Sequence, residues 1–373
     1  NTPLIEFVTN DWRNDLPLDS DSDSDSAFFA RDSEDDWPPR LPQWVHNVKP
    51  PVIPRKVQRY LVLLIVLVTL SWAGFAFETA MRAADNDAAA FNPGATYGSN
   101  VEIELDGLIQ LKSLAKNLLP HSGHHENRLI FIGDVHGCKT ELLKLLGKVN
   151  FNRKHDHLIF TGDVVNKGPD SPGVVDVLRD LGASCVRGNH EDRVLLAWQD
   201  IHSHSSSPIT ITPEEDQLEK ERYSKSEYRA RKTARQLSKE QARWLQECPV
   251  ILNVGHVEGM GEINVVHAGL VPGVRLQRQD PFQVMNMRSM DPETRVPSEN
   301  RGAGMQWDKV WEHWQNKLPE KERSTVIYGH DSKRGLNIGQ WVKGLDSGCV
   351  NGDRLTALVV NARGDQDIVS VKC

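Results

Sequence analysis

Hydrophobic and polar positions follow three regimes along this chain. Residues 1–59 show no hydrophobic periodicity and carry "DSDSDSDS" (Asp19 to Ser26), "DSEDD" (Asp32 to Asp36) and proline-rich stretches around "WPPRLPQW" and "KPPVIP". Such a segment cannot bury enough apolar surface to offset its ordering entropy, which predicts a disordered tail. From Tyr60 to Phe77, "YLVLLIVLVTLSWAGFAF" is apolar and uncharged. That length suits a hydrocarbon core of ~30 Å, with Tyr60 and Trp72 towards its interfaces. It predicts a transmembrane signal-anchor helix over 60–77, since a cleaved signal peptide is shorter and nearer the N-terminus. Residues 78–100, rich in Ala, Asn and Gly, suit a stalk.

The third regime is the folded unit, 101–373. "IELDGLIQLKSLAKNLLP" (Ile103 to Pro120) has helical spacing. From Arg128 the pattern alternates: "RLIFIGDVHGCKTELLKLLGKV", "HDHLIFTGDVVNKGPDSPGVVDVLRDLG" and "ASCVRGNHEDRVLLAW" each read as strand, turn and helix. "INVVHAGLVP" and "STVIYGHDSKRGLNIG" are strands ending in histidine, and "RLTALVV" is a late strand. An α/β fold follows. Its acidic and amide motifs sit at the C-terminal ends of strands, where open α/β sheets place their chemistry.

Composition narrows this picture. A net charge of −7 gives no signature of nucleic-acid binding, so no specific nucleic-acid partner is expected. Cys138, Cys185, Cys248, Cys349 and Cys373 are scattered, odd in number and without a CxxC, so no disulfide framework is implied and burial is expected. Lys49, Arg55, Lys56 and Arg59 precede the apolar span, and only Arg82 follows it closely. The positive-inside rule then places the tail in the cytosol and the folded unit on the lumenal or exterior side. Against this, no N-x-[ST] sequon follows the span. The acidic tail is a solvated segment or a site for sorting or kinase partners. His121, His124 and His125 read as loop residues.

The strand ends deliver Asp134, His136, Asp163, Asn189, His190, His267 and His330. Carboxylate, imidazole and amide oxygen together suit divalent ions such as Zn²⁺, Mn²⁺ or Fe²⁺. Asp134 and His136 are two apart, so a turn must bring both inward, which Gly133 and Gly137 permit. In "GDVVNKG" (Gly162 to Gly168), an amide, Asn166, stands where a carboxylate partner for a catalytic histidine is expected. It can accept a hydrogen bond from the ring and cannot supply its charge.

GDVHG, GDVVNKG, GNHE, HAG and a late GH, in this order, resemble the metallophosphoesterases of the phosphoprotein-phosphatase superfamily from Arg128 onward. "GDVVNKGPDS", "NMR", "YGHD", "GLDSGCV" and "LTALV" resemble the ApaH-like branch, relatives of bacterial diadenosine-tetraphosphate hydrolases. Together with the N-terminal span they resemble the fungal vacuolar zinc-dependent endopolyphosphatases. The resemblance implies a calcineurin-like β-sandwich flanked by helices. It implies two divalent ions, zinc first and Mn, Co or Fe otherwise, with Asp134 and His136 on one, Asp163 bridging, and Asn189, His267 and His330 on the other. A metal-bridging hydroxide would attack phosphorus in line. His190 would be the general acid, with Asn166 facing it, and Lys167, Arg187 and Arg288 would bind phosphate. The implied substrate is inorganic polyphosphate or another phosphoanhydride. A membrane-anchored protein serine/threonine phosphatase is the alternative, weakened because that branch shows GDxVDRG; a dinucleoside-polyphosphate or nucleotide-cap hydrolase is another.

Residues 200–247 form a charged helical insertion. Thr212-Pro213 followed by acids marks a helix start. The cations between Arg222 and Arg243 read as a solvated cap, or as a basic surface that guides a polyanion.

Overall fold

The computed structural model describes residues 54–90, 107–120, 127–203 and 212–373. The acidic tail up to residue 53, the stalk from 91 to 100, and His121, His124 and His125 lie outside the described residues. The chain divides into two units, residues 1–89 and 90–373.

In the first unit, α1 runs over Arg55–Ala90. Its portion Arg55–Phe77 is long and apolar enough to cross a membrane, with mean hydropathy 2.3 and no part of it buried. The Thr69 hydroxyl donates to the carbonyls of Ile65 and Val66, so it is satisfied within the helix. The helix continues into the first part of the predicted stalk.

The second unit departs from the helix expected over Ile103 to Pro120. Its described part holds a strand, β1 (Leu111–Ser113), and a 3-10 turn at Lys116–Leu118. β1 pairs in parallel with β5 (Ile251–Val257). That strand's open edge supplies partners for backbone groups, and tertiary pairing overrides the helical spacing.

The three strand–turn–helix units appear as read. β2 (Arg128–Ile132), β3 (Asp156–Phe160) and β4 (Ser184–Cys185) precede α2 (Lys139–Lys148), α3 (Ser171–Asp180) and α4 (Asn189–Ser203). The strands are parallel neighbours, and β13 (Arg354–Asn361) and β14 (Gln366–Lys372) extend them antiparallel into a five-stranded sheet, β14-β13-β2-β3-β4. The second sheet has six strands, β1-β5-β6-β10-β12-β11, with β6 (Gly261–Val266), β10 (Ser324–Tyr328), β11 (Asn337–Ile338) and β12 (Val342–Gly344).

Residue parity explains how the layers stack. Ile130, Ile132, Leu158 and Phe160 enter one core with Leu142, Leu145, Val174 and Leu178 of α2 and α3. Leu129, Phe131 and Ile159 enter the other, with Leu252, Ile263, Val265 and Ile327 of the second sheet. Successive side chains of a strand point to opposite faces, so an unbroken apolar run marks a strand covered on both. The fold is therefore a sandwich of two sheets with helices outside, not an open sheet.

The insertion folds as α5 (Pro213–Arg222), α6 (Lys225–Gln236) and α7 (Lys239–Gln246). Each starts with a capping box: Thr212 with Glu215, Ser224 with Glu227, and Ser238 with Gln241. After β6 come α8 (Pro281–Asn286), a small sheet of β7 (Ser289–Met290), β8 (Pro297–Ser298) and β9 (Met305–Gln306), and α9 (Trp307–Lys317).

The cysteines correct the sequence reading. Cys185 bonds Cys248 and Cys349 bonds Cys373, with Cα separations of 5.4 and 5.2 Å, while Cys138 is free and buried. The partners lie 63 and 24 residues apart, so only tertiary proximity reveals the pairing.

Candidate active site

The turns after β2, β3, β6 and β10, and the start of α4, converge at one end of the sandwich. Five site residues there have left-handed backbone: His136 (φ 46°), Asp163 (φ 51°), Asn166 (φ 72°), Lys167 (φ 68°) and His330 (φ 70°). Non-glycine residues adopt this conformation only where the surroundings over-determine it, and such strain concentrates at functional sites. Close approach accounts for two of the motif glycines. A Cβ on Gly188 would strike the Asp163 carboxylate, and one on Gly329 would strike Asp134 and Thr161.

Two groups of side chains present ligand atoms within 4.8 Å of one another: His136, Asp163 and His190, and Asp134, Asp163 and His267. Asp163 belongs to both. Its Oδ2 lies 3.3 Å from His267 Nε2, 3.5 Å from His136 Nε2 and 3.9 Å from His190 Nε2. Asp134 is shared more evenly than the sequence reading has it. It groups with His267, lies 3.9 Å from His136 Nε2, and accepts from the His330 backbone N–H. His190 stands among the ligand atoms as well as beside Asn189.

The hydrogen bonds of the rings determine which nitrogens face inward. His136 Nδ1 donates to the Val165 carbonyl (3.1 Å), His267 Nδ1 to the Thr161 carbonyl (2.8 Å) and His330 Nε2 to the Asn286 carbonyl (3.0 Å). A carbonyl only accepts, so each ring, when neutral, offers a lone pair on its other nitrogen. His267 Nε2 and His330 Nδ1 then face each other at 3.2 Å, and His136 Nε2 meets the Lys167 ammonium at 2.9 Å. Asn189 Oδ1 is buried without a hydrogen-bond partner among the described residues. Facing lone pairs, an orphaned amide oxygen and a lysine cation seated on a ring nitrogen all fit divalent cations.

Charge in the site follows burial and neighbours. Burial opposes ionisation of Asp163, but His267 and His190 outweigh it and hold the carboxyl well below its usual range. Burial, then Asp346 and Asp163, push Asp134 well above it. Burial lowers His136 to about 4 and His190 to about 3, and drives His330 down as well. For His267, burial is outweighed by Asp163 and the pKa rises.

Asn166 differs from expectation. Its Oδ1 accepts the Lys167 backbone N–H at 2.8 Å and the Thr233 hydroxyl at 3.3 Å. A backbone N–H can only donate, which assigns the amide oxygen to that side. Nδ2 therefore faces His190 Nδ1 at 2.9 Å and donates to it. The amide was expected to accept from the ring; it donates instead. The His190 proton then sits on Nε2, which points to the cluster.

The cationic candidates separate. Lys167 is in the cluster. Arg288 precedes β7, is half-buried, has an Nε without a hydrogen-bond partner among the described residues, and feels the charge of Asp163. Arg187 is not brought into the cluster: its guanidinium pairs with Asp192 at 2.9 Å and donates to the Gly107 carbonyl.

Three residues went unread in the sequence. Glu191 accepts the backbone N–H groups of Asp163, Val164, Val165 and Gly188 at 2.7–3.1 Å, tying two of the motif turns together. Burial lifts this carboxyl to about 7 against the pull of those amides. Asp346, in "GLDSGCV", is buried, accepts the Gly348 backbone N–H, and its charge helps push the Asp134 carboxyl up. Thr233 holds Asn166. Glu191 was legible as the last letter of GNHE; Thr233 carried no signal.

Comparison with known proteins agrees with this geometry. The family profile described as "Calcineurin-like phosphoesterase" matches residues 127–354. A zinc-dependent endopolyphosphatase of Saccharomyces cerevisiae is 29% identical over 270 residues, 65% of this chain and 80% of the relative. A symmetrical bis(5'-nucleosyl)-tetraphosphatase of Coxiella burnetii is 24% identical over 61% of this chain and 86% of its own length. The crystal structure of a candidate diadenosine tetraphosphatase, 29% identical, superposes with a TM-score of 0.53 and covers 70% of this chain and 97% of its own.

Proposed function

Given that the chain belongs to the calcineurin-like phosphoesterase family and is a metal-dependent phosphohydrolase, we propose that it cleaves phosphoanhydride bonds, with inorganic polyphosphate as the substrate and internal bonds as the point of cut. The observation that carries this reading is the Asn166–His190 hydrogen bond. With Nδ1 accepting from an amide, His190 offers Nε2–H and has no carboxylate hydrogen-bonded to Nδ1 to stabilise a positive ring. A neutral imidazole can donate a hydrogen bond to a leaving oxygen but is a poor source of a full proton. A serine alkoxide needs that proton, whereas a phosphate leaving an anhydride is far less basic and does not. The relative named as an endopolyphosphatase supports polyphosphate among anhydrides.

Two divalent ions, zinc first, would be held by Asp134 and His136, by Asn189, His267 and His330, and by Asp163 between them. Bound there, they supply an activated water and neutralise phosphate charge. Of the chain's own groups, Lys167 and Arg288 hold phosphate oxygens and His190 hydrogen-bonds the leaving oxygen. We place the catalytic unit in a lumen, vacuolar as in the fungal relatives the sequence resembles, behind a single type II span. Support comes from the Arg55–Phe77 helix and from two disulfides, which persist in oxidising compartments.

Product analysis tests the function. Long-chain polyphosphate, p-nitrophenyl phosphate, a phosphopeptide and diadenosine tetraphosphate would be compared with Zn²⁺, Mn²⁺, Co²⁺ and Mg²⁺. Mid-length fragments from polyphosphate are expected. Faster turnover of the phosphopeptide would overturn the proposal in favour of a protein phosphatase.

A further inference from the structure

Among the described residues, the charged insertion reaches the active site with a hydroxyl, Thr233. On α6, Ala230, Thr233 and Ala234 are the buried positions, the i, i+3, i+4 stripe of one helix face. That face packs on α4, whose first residues are Asn189 and His190, and Arg231 on α6 pairs with Asp200 on α4. From the stripe, the Thr233 hydroxyl reaches Asn166 Oδ1.

That bond bears on how the amide is oriented. Asn166 Oδ1 has two lone pairs, used by Lys167 N–H and Thr233. The Asn166 backbone is held separately, its N–H donating to Ser171 Oγ at 2.9 Å. The orientation of the side-chain amide is therefore set by its own hydrogen bonds and not by those of the backbone. Turned over, it would present Oδ1 to His190 Nδ1 and move the ring proton there, leaving a bare Nε2 facing the substrate. Of the two donors that resist this rotation, Thr233 is the one from a distant part of the sequence.

We propose that Thr233 is a positioning residue: its hydroxyl locks the Asn166 amide so that His190 keeps its proton on Nε2, making the insertion a determinant of leaving-group preference. The proposal rests on the reading of His190 as the group that meets the leaving oxygen. It explains why the insertion is docked through a polar residue on an otherwise alanine-lined stripe.

The test is a double-mutant cycle on the full chain. Thr233→Val, Thr233→Ala and Thr233→Ser are measured in the native and Asn166→Asp backgrounds, with polyphosphate and a series of aryl phosphates of graded leaving-group basicity. Loss of one neutral hydrogen bond predicts that Thr233→Val and Thr233→Ala lower kcat about threefold to tenfold with KM unchanged, more strongly for the more basic leaving groups. Thr233→Ser restores kcat. In the Asn166→Asp background the Thr233 variants lose this effect, because both carboxylate oxygens accept and there is no amide to turn. An equal loss in both backgrounds, no loss in the native one, or failure of serine to restore would each overturn the proposal. If aryl phosphates are turned over and polyphosphate is not, the anhydride reading falls while the cycle still decides Thr233.

Discussion

His330 Nδ1 lies 3.2 Å from His267 Nε2, and in the neutral rings both nitrogens carry lone pairs because the opposite nitrogen of each ring donates to a backbone carbonyl. Two acceptors at that distance repel unless a proton or a metal cation lies between them. Zn²⁺ or Mn²⁺ should therefore raise the protein's stability, by about 3 kcal/mol at a hundredfold excess over Kd. Thermal melts with and without chelator measure this, and His267→Ala should abolish most of the gain. A melting temperature indifferent to chelator would refute the metal assignment.

Asn166→Asp supplies the missing charge beside His190 and reverses the hydrogen bond between them. The ratio of ester to anhydride turnover should rise by about tenfold, a modest share of what general acids contribute. Parallel kcat/KM measurements on p-nitrophenyl phosphate and polyphosphate decide it. An unchanged ratio would reduce Asn166 to a family marker.

Glu191→Gln replaces one acceptor oxygen with a donor facing backbone N–H groups. Breaking this buried network should lower stability by about 3 kcal/mol and reduce activity with it. Denaturant unfolding reads the first effect directly. A midpoint within error of the native protein would show that the carboxylate does not hold the two turns.

Arg231 lies 2.6 Å from Asp200 and 3.1 Å from Glu219 and stacks on Tyr223, and Arg235 also pairs with Glu219. These are two of the cations that the sequence reading offered as a solvated cap or a polyanion-guiding surface, and the structure pairs both with acids of the neighbouring helices. Arg231→Ala should destabilise the protein by about 1–2 kcal/mol. It should leave KM for long polyphosphate unchanged at any salt concentration. A KM that rises with chain length would restore the guiding role.

Cys185 lies at the end of β4, four residues before Asn189, and Cys349 lies three residues after Asp346. For loops of 63 and 24 residues, chain entropy assigns each bond about 3–4 kcal/mol. Melts of the paired Cys→Ala variants, beside the native protein with reductant, should show losses of that order. Equal melting of all four samples would argue against the bonds.

How much was legible follows from the range of each interaction. The Asp134, His136, Asp163, Asn189, His267 and His330 set could be read because each sits in a short turn at the end of an apolar run, and the turn's own glycines announce it. β2, β3, β6, β10 and β13 could be read for the same local reason. β1 could not, because its strand form depends on the open edge of β5, and its own spacing favours a helix. Glu191 was legible as a motif letter, but its role and that of Asp346 were overlooked because their partners are backbone groups and another acid, which no residue pattern specifies.

The sequence by itself determined the order of strands and helices, the apolar span, the residue types of the candidate metal cluster and the presence of an amide at position 166. Tertiary structure alone decided what that amide does. Its orientation depends on a hydroxyl 67 residues away, and its effect on His190 depends on which end of the amide faces the ring. The disulfide partners were decided in the same way, since a cysteine's neighbour in space leaves no trace in its neighbours along the chain.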